Sequence, residues 1–368
     1  MKEMRTVDAV GQVLCHDITQ IIKGVTKDAV FRKGHVICEE DVEVLLRVGK
    51  DHIYVWEKDE NMLHEDEAAG ILYSLCENEH MHPSEVKEGK IEVMADCDGL
   101  LKVDRRRLNK VNALGKMMIA SRHGNFPVKA GDKIAGTRII PLVIEKEKME
   151  RAREVCEGLP LFELKPYLHK KAGIVTTGNE VYHGRIQDTF TPVIKEKLAE
   201  YDVEIVGHEI VDDNHEKITA CIHRLIEAGA EMILCTGGMS VDPDDRTPLA
   251  IKNTGAEIVT YGAPVLPGAM FLLAYLDREN AGGRAGYDCH DCHEGKCPPD
   301  GRRYVTIMGL PGCVMYAKRT IFDLVLPRVM AGEVLSEADI SVLGEGGLCL
   351  SCPVCTFPNC GFGKGGNA

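Results

Sequence analysis

The chain lacks any apolar run long enough to cross a membrane, and its opening stretch MKEMRTVDAVGQVL mixes charges early where a secretory leader needs an uninterrupted apolar core. A cytoplasmic address and no membrane partner are expected. Positive charge is also scarce. Against 57 acidic residues there are 44 basic ones, and the net charge of -13 has the wrong sign for a chain that follows a nucleic-acid backbone. No repeat occurs at solenoid periods, which excludes a stacked array. No Walker lysine follows a glycine-rich loop and no G-x-G-x-x-G opens a helix, so the common P-loop and dinucleotide sites are absent. The 14 histidines are dispersed and form no i, i+4 pair suited to a helical metal site.

What is present is length and cysteine. The 368 residues suffice for two or three compact units. In a reducing compartment the 15 cysteines are expected as thiols, and clustered thiols point to metal. Seven fall in two clusters: Cys289, Cys292 and Cys297, then Cys349, Cys352, Cys355 and Cys360.

Residues 1–58 read as a small α/β unit, with strand-like VLCHDIT, AVFRKGHVI and HIYVWE around a helix-like EEDVEVLLRVG that ends at Gly49. Residues 59–150 read as β-rich after a short helix at EDEAAGILYSLCE, and KEKMERAREVCEG looks like a connecting helix. From 151 to 333 an α/β domain is expected. There AGIVTTG, VEIVGHEIV, AEMILCTGG and YVTIMGLPG are short buried strands, alternating with helices at TPVIKEKLAEYD, HEKITACIHRLIEAG, TPLAIKNTG and CVMYAKRTIFDLVLPRVMAGE. That alternation predicts a three-layer sandwich around a mostly parallel sheet, with ligands at the carboxyl ends of the strands. A Cys-rich insertion at 284–303 interrupts the domain, and a Cys- and Gly-rich tail at 334–368 has too few apolar side chains for a core of its own.

The stretch LCTGGMSVDPDDRTP at 234–248 concentrates chemistry. Gly237 and Gly238 after a strand let backbone approach a ligand, and amides at the following helix start favour phosphate. The helix-end charge contributes only about 0.3–1 kcal/mol, enough to orient a phosphate and too little to bind it tightly. The neighbouring carboxylates Asp242, Asp244 and Asp245 repel one another unless a cation or donor offsets them, and Mg²⁺ bound by one or two carboxylates plus ligand phosphates is a usual solution. The plain alternative is that Asp242 and Asp244 are turn residues and Asp245 caps a helix. Asp212 and Asp213 are the same kind of candidate.

TTGNE at 176–180, GRIQDTFTP at 184–192, VDD at 211–213, TGGMSVDPDDRTP at 236–248 and LPG at 310–312, in that order over roughly 172–333, together resemble the molybdopterin-binding domain family of molybdenum-cofactor biosynthesis. One branch of that family adenylylates molybdopterin, and another inserts molybdate using Mg²⁺. Pro243, Asp245, Thr247 and Pro248 resemble the adenylylating branch. The GGMSV portion and Thr177 to Glu180 look more like the insertion branch, although the Ser-Ala-Met-Asp-Gly-type stretch of that branch is missing from residues 1–57.

The resemblance implies that Thr176, Thr177, Gly178, Asp212, Gly237, Gly238, Ser240, Asp242, Pro311 and Gly312 hold the cofactor. Asp245, Asp188 and Glu180 would be the catalytic acids, with Asp245 nearest Mg²⁺. It further implies a pterin ligand, molybdate, ATP or AMP, a homo-oligomer and a molybdoenzyme partner. The alternatives are a carrier or sensor of the cofactor without catalysis, and a nucleotide pyrophosphohydrolase related to the competence-and-damage-associated family, whose Gly-Gly and Asp-Asp-x-Thr pattern Asp244, Asp245 and Thr247 also fit.

The spacing Cys349-x2-Cys352-x2-Cys355-x4-Cys360 is that of a four-thiolate ligand set, departing by one residue from the ferredoxin run. Zinc or an iron–sulfur cluster is expected there.

Overall fold

The computed structural model describes residues 2–365 apart from 23–25, 56–58, 169, 241, 244 and 278–303. It forms two compact units, one of Met1–Cys97, Leu101–Arg122 and Val128–Leu164, the other of Asp98–Leu100, His123–Pro127 and Lys165–Ala368.

The first unit holds two apolar cores. The smaller gathers Leu14, Ile18, Ile37, Leu45, Ile53 and Val55. Its helix Glu39–Arg47 opens on Glu39, Glu40 and Asp41 and closes with Arg47, charges that complement the helix dipole. Gly49, at φ +80°, turns the chain away. The larger core packs Leu72, Val93, Ile134, Met149 and Phe162 beneath an antiparallel sheet of Met81–Pro83, Lys90–Ala95, Lys133–Ile139 and Met117–Ser121. Helix Arg105–Ala113, RRRLNKVNA, is not evident in the sequence, because only Leu108 and Val111 are buried and Asp104 starts it by accepting from Arg107 N at 2.8 Å. The domain boundary expected at residue 151 moves to 164. Met149, Ala152, Cys156, Leu161 and Leu164 all belong to the larger core of the first unit.

Among the described residues the sheet of the second unit has six strands: β1 Lys171–Thr177, β2 Glu204–Val211, β3 Met232–Thr236, β4 Glu257–Tyr261, β5 Leu272–Asp277 and β6 Tyr304–Leu310. Their order across the sheet is β2-β1-β3-β6-β5-β4. The first four are mutually parallel, whereas β5 and β4 join antiparallel. This departs from the strand–helix rhythm because residues 262–271 make too short a link for a parallel crossover.

Among the described residues the helices of this unit are α1 Asn179–Tyr182, α2 Phe190–Ala199, α3 His215–Glu227, α4 Thr247–Asn253, α5 Ile321–Met330 and α6 Glu337–Ser341. Successive strand residues face opposite sides. Ile174, Leu234, Leu273 and Met308 pack with Ile194 and Leu198 of α2 and Phe322 and Val325 of α5. Val175, Ile233, Leu272 and Ile307 pack with Ile222 and Leu225 of α3 and Ile251 of α4. Both faces of the mixed sheet are therefore covered by helix, and the strands read as almost continuous apolar runs.

The stretch expected as one helix from Cys313 onward is broken. A 3-10 turn spans Gly312–Met315, and α5 begins afresh at Thr320, whose side chain accepts from Phe322 N while Asp323 accepts from Thr320 N at 2.8 Å. That reciprocal cap is a helix start signal inside an apparently continuous run. Asp323 also holds Lys197 at 2.6 Å and Arg319 at 2.8 Å.

The tail, expected as a separate segment at 334–368, lies within this second unit. Phe362 is buried in the α2/α5 core, with Leu343, Cys349, Phe357 and Cys360 packed against it. It thus borrows a core. The expected insertion at 284–303, with Cys289, Cys292 and Cys297, lies outside the described residues.

Candidate functional site

Thr177 pairs with Val211, Thr176 with Thr236, and Thr236 with Leu310. The four parallel strands consequently end together. The loops beginning at Gly178, Asp212, Gly237 and Pro311 leave from one carboxyl edge, where open α/β sheets bind ligands.

At that edge the Gly237 loop folds hard against β1. A Cβ on Gly237, whose φ is +84°, would meet the Thr177 carbonyl oxygen at 2.2 Å, and one on Gly238, at φ +55°, would meet Thr247 Oγ1 at 2.8 Å. Only glycine permits this approach. Thr247 locks it: the buried hydroxyl donates to Gly237 O at 2.9 Å and lies 3.2 Å from Thr177 Oγ1, while its N–H donates to Gly238 O at 3.3 Å. Met239 is buried, and its methyl group would lie 2.5 Å from a Cβ on Gly309, so β6 also needs glycine there. Tyr261, at the end of β4, brings its hydroxyl to 3.0 Å from Met239 O and 3.3 Å from Ser240 O. Ser240 and Asp242 are exposed, and Asp244 lies outside the described residues.

The acids separate into different environments. Asp245 does not cap α4, because the N-cap position belongs to Arg246, which makes no side-chain cap bond. Asp213 accepts from Asn179 N at 2.9 Å. Burial and the charges of Glu180, Asp245 and Asp212 together outweigh that bond and push the Asp213 carboxyl above the ordinary range. Burial, with the Asp245 charge, also raises the Tyr261 hydroxyl. Asp213, Glu180 and Asp245 thus share one field of excess negative charge, which a divalent cation would relieve. In charge and donor type they fit Mg²⁺. Among the described residues no three such side chains yet stand close enough to share one ion.

Asp212 is engaged elsewhere. Its carboxylate takes Lys217 Nζ at 2.6 Å, which holds it below the usual range, and it accepts from Asn214 N at 3.3 Å. Of the pair, Asp213 faces the shared field.

On the opposite face of β1 a second polar cluster forms. Thr176 Oγ1 lies 2.9 Å from His208 Nε2 and 3.0 Å from Thr191 Oγ1, and His208 Nε2 lies 3.1 Å from Thr191 Oγ1. Asp188, read from the sequence as a catalytic acid, starts α2: its Oδ1 accepts from Phe190 N at 2.9 Å and Thr191 N at 3.0 Å. Burial alone would raise its carboxyl, but these bonds and His208 at 3.7 Å hold it below the ordinary range. Burial lowers His208 against the pull of Asp188.

The remaining candidates are placed simply. Glu180 is exposed, and Gly178, at φ +136°, leaves room for it: a Cβ there would lie 3.0 Å from Glu180 Oε1. Pro311 is buried and precedes the 3-10 turn, with Gly312 exposed beside it. The four tail cysteines line a separate cavity of about 490 Å³ that no residue of the loop series lines. Sequence reasoning missed Tyr261, His208 and Thr191; the one available signal was a polar side chain inside an apolar strand, as in VEIVGHEIV.

Residues 173–331 match the family model described as a probable molybdopterin binding domain. The match is confined to that segment of the chain. Residues 3–57 match a domain of unknown function. A CinA-like protein of Mycobacterium avium (strain 104) is 37% identical over 90 residues, covering 24% of this chain and 21% of that protein. The CinA-like protein of Mycobacterium tuberculosis (strain ATCC 25618 / H37Rv) matches with the same identity and coverage. The chain thus spans about a fifth of the length of these relatives.

Two solved structures are among those matched, both with low scores. The tungsten cofactor synthesizing protein MoaB from Pyrococcus furiosus is 19% identical, with 44% of this chain and 91% of that one covered and a TM-score of 0.32. A molybdenum cofactor biosynthesis protein from Pyrococcus furiosus is 13% identical, with 92% and 64% covered and a TM-score of 0.25. The assignment of the domain rests on the family model.

Proposed function

We propose that the second unit binds molybdopterin, or its adenylylated form, at the carboxyl edge of the sheet and acts in molybdenum-cofactor assembly by Mg²⁺-dependent adenylylation or molybdate insertion. The observation that carries this reading is the pairing of a backbone cradle at Gly237 and Gly238 with Asp213, whose carboxyl is raised by burial and by the charges of Glu180 and Asp245. Bound Mg²⁺ would supply charge neutralisation at the ligand's phosphates. Asp245 and Asp213 would hold it, Thr177 and Thr247 would fix the loop, and the amides of residues 237 and 238 would approach the phosphate. Transfer at phosphorus needs little covalent help, so positioning and charge are a sufficient mechanism.

A second reading, nucleotide pyrophosphate hydrolysis, is favoured by the 37% identity over 90 residues to proteins named CinA-like. The same cradle and acids would serve it. The separating experiment incubates the full chain and Mg²⁺ with molybdopterin and ATP, with adenylylated molybdopterin and molybdate, and with nucleoside diphosphate esters. AMP transfer to the pterin, or molybdate-dependent AMP release, supports the first reading. Hydrolysis of the esters without pterin binding replaces it with the second. Tight pterin binding with no turnover makes the chain a carrier.

A further inference from the structure

We propose that Cys349, Cys352, Cys355 and Cys360 together bind one [4Fe–4S] cluster, an assignment independent of the pterin site. All four line a single cavity of about 490 Å³, with Lys318 and Arg319 beside them. All are free thiols, Cys352 and Cys355 exposed and the other two half-buried. In the ferredoxin run the fourth cysteine serves a second cluster. Here one cavity receives all four, so one centre is the economical occupant.

The size of the cavity chooses between metals. A zinc ion draws four sulfurs to about 2.3 Å from one point. A cubane instead offers four irons at separate corners, and its four thiolates stay apart around a body of several atoms. Four cysteines that line one cavity of about 490 Å³ match the second demand.

Charge agrees. A cubane with four thiolates is anionic, and burial of an anion needs nearby cations or donors. Arg319 lines the cavity and is fixed there by Asp323 at 2.8 Å and by Phe357, over whose ring it lies at 5.0 Å. Lys318 Nζ donates to Pro353 O at 2.7 Å, between Cys352 and Cys355 in the chain. Both cations are therefore held at the cavity wall by groups other than the cluster.

The frame is also independent of metal. Cys349 N–H donates to Leu266 O at 2.8 Å, Gly363 N–H to Gly346 O at 2.9 Å, and Phe362 is buried in the sheet core. Ligand variants should leave the sheet folded.

The full chain is purified without oxygen and reconstituted with ferrous iron and sulfide in one arm, and with Zn²⁺ alone in another. The expected result is about four iron and four sulfide per chain, with a broad visible absorption that dithionite bleaches. Replacing Cys352 and Cys355 by Ser should abolish both signals at unchanged helical circular dichroism. Replacing Cys289, Cys292 and Cys297 by Ser should keep them. Lys318→Gln should make the cluster harder to reduce, a shift that a purely structural lysine would not produce. The proposal is overturned if the wild-type chain takes zinc but no iron–sulfur chromophore, a result that needs no variant. It is equally overturned if the chromophore survives loss of Cys352 and Cys355, or disappears with Cys289, Cys292 and Cys297.

Discussion

Thr176 and Thr177 are neighbours on one strand, yet each heads a polar cluster of opposite character. On the Thr176 face, Asp188 is closed: its carboxylate accepts two helix-start amides and its acidity is enhanced, while burial disfavours the charged form of His208. On the Thr177 face, Asp213 is raised by burial and by Glu180 and Asp245. The first arrangement stabilises the fold by itself. The second opposes the fold until a cation or ligand relieves it, which is the balance found at binding sites. Asp188 and Asp245 look equivalent as loop acids in the sequence, and only their partners separate a helix cap from a site acid.

The largest effect should come from the glycine that lets the Thr177 face exist. Gly237→Ala places a Cβ against the Thr177 carbonyl, which is backbone and cannot swing aside. It should cost about 2 kcal/mol or more, read from urea unfolding. Gly312→Ala at the same edge meets open space and should stay within about 0.5 kcal/mol. Equal costs at the two positions would remove the cradle from the account.

The Thr176 face should respond next. Asp188→Ala loses a helix cap and should cost about 1 kcal/mol, whereas Asp188→Asn keeps an acceptor oxygen and should cost little. Both Asp188 and His208 have pKa values lowered by the fold. Their stabilisation is therefore full above the unfolded values and is lost as pH falls through the folded ones. The urea midpoint should begin to drop below about pH 6.5, where an unfolded histidine starts to charge. His208→Gln should flatten that first part of the decline.

How much of this was readable in advance follows from where the signals lie. The loops at Thr177, Gly237 and Leu310 stand out because glycine and polar residues interrupt apolar strands, and their convergence follows from a parallel sheet. His208 and Tyr261 were hidden because each sits inside a strand, and its partners are 32 and 22 residues away in the chain. The α5 start was hidden because Thr320 and Asp323 cap it within an unbroken helical pattern. The distinction between Asp212 and Asp213 depends on which one reaches Lys217, a question of side-chain direction that spacing does not answer.

The smallest stability effect carries the most direct test of the comparison. Asp213→Asn keeps an oxygen for the Asn179 amide but removes a charge that burial and three neighbouring acids disfavour. Because the folded carboxyl titrates above its unfolded value, its contribution to stability is present at low pH and is lost as pH rises through the folded value. At neutral pH the variant should therefore be slightly more stable than the wild type, within about 0.5 kcal/mol given solvent screening at a half-buried site. Mg²⁺ should reverse the ranking. If Asp213 and Asp245 hold the cation, Mg²⁺ raises the wild-type melting temperature with increasing concentration, as any ligand of the folded state must. Neither Asp213→Asn nor Asp245→Asn should follow it, while Asp188→Asn, on the other face, should gain as the wild type does. A wild type indifferent to Mg²⁺, or an Asp213→Asn variant stabilised by it equally, would make the Thr177 face as closed as the Thr176 face and end the distinction between them.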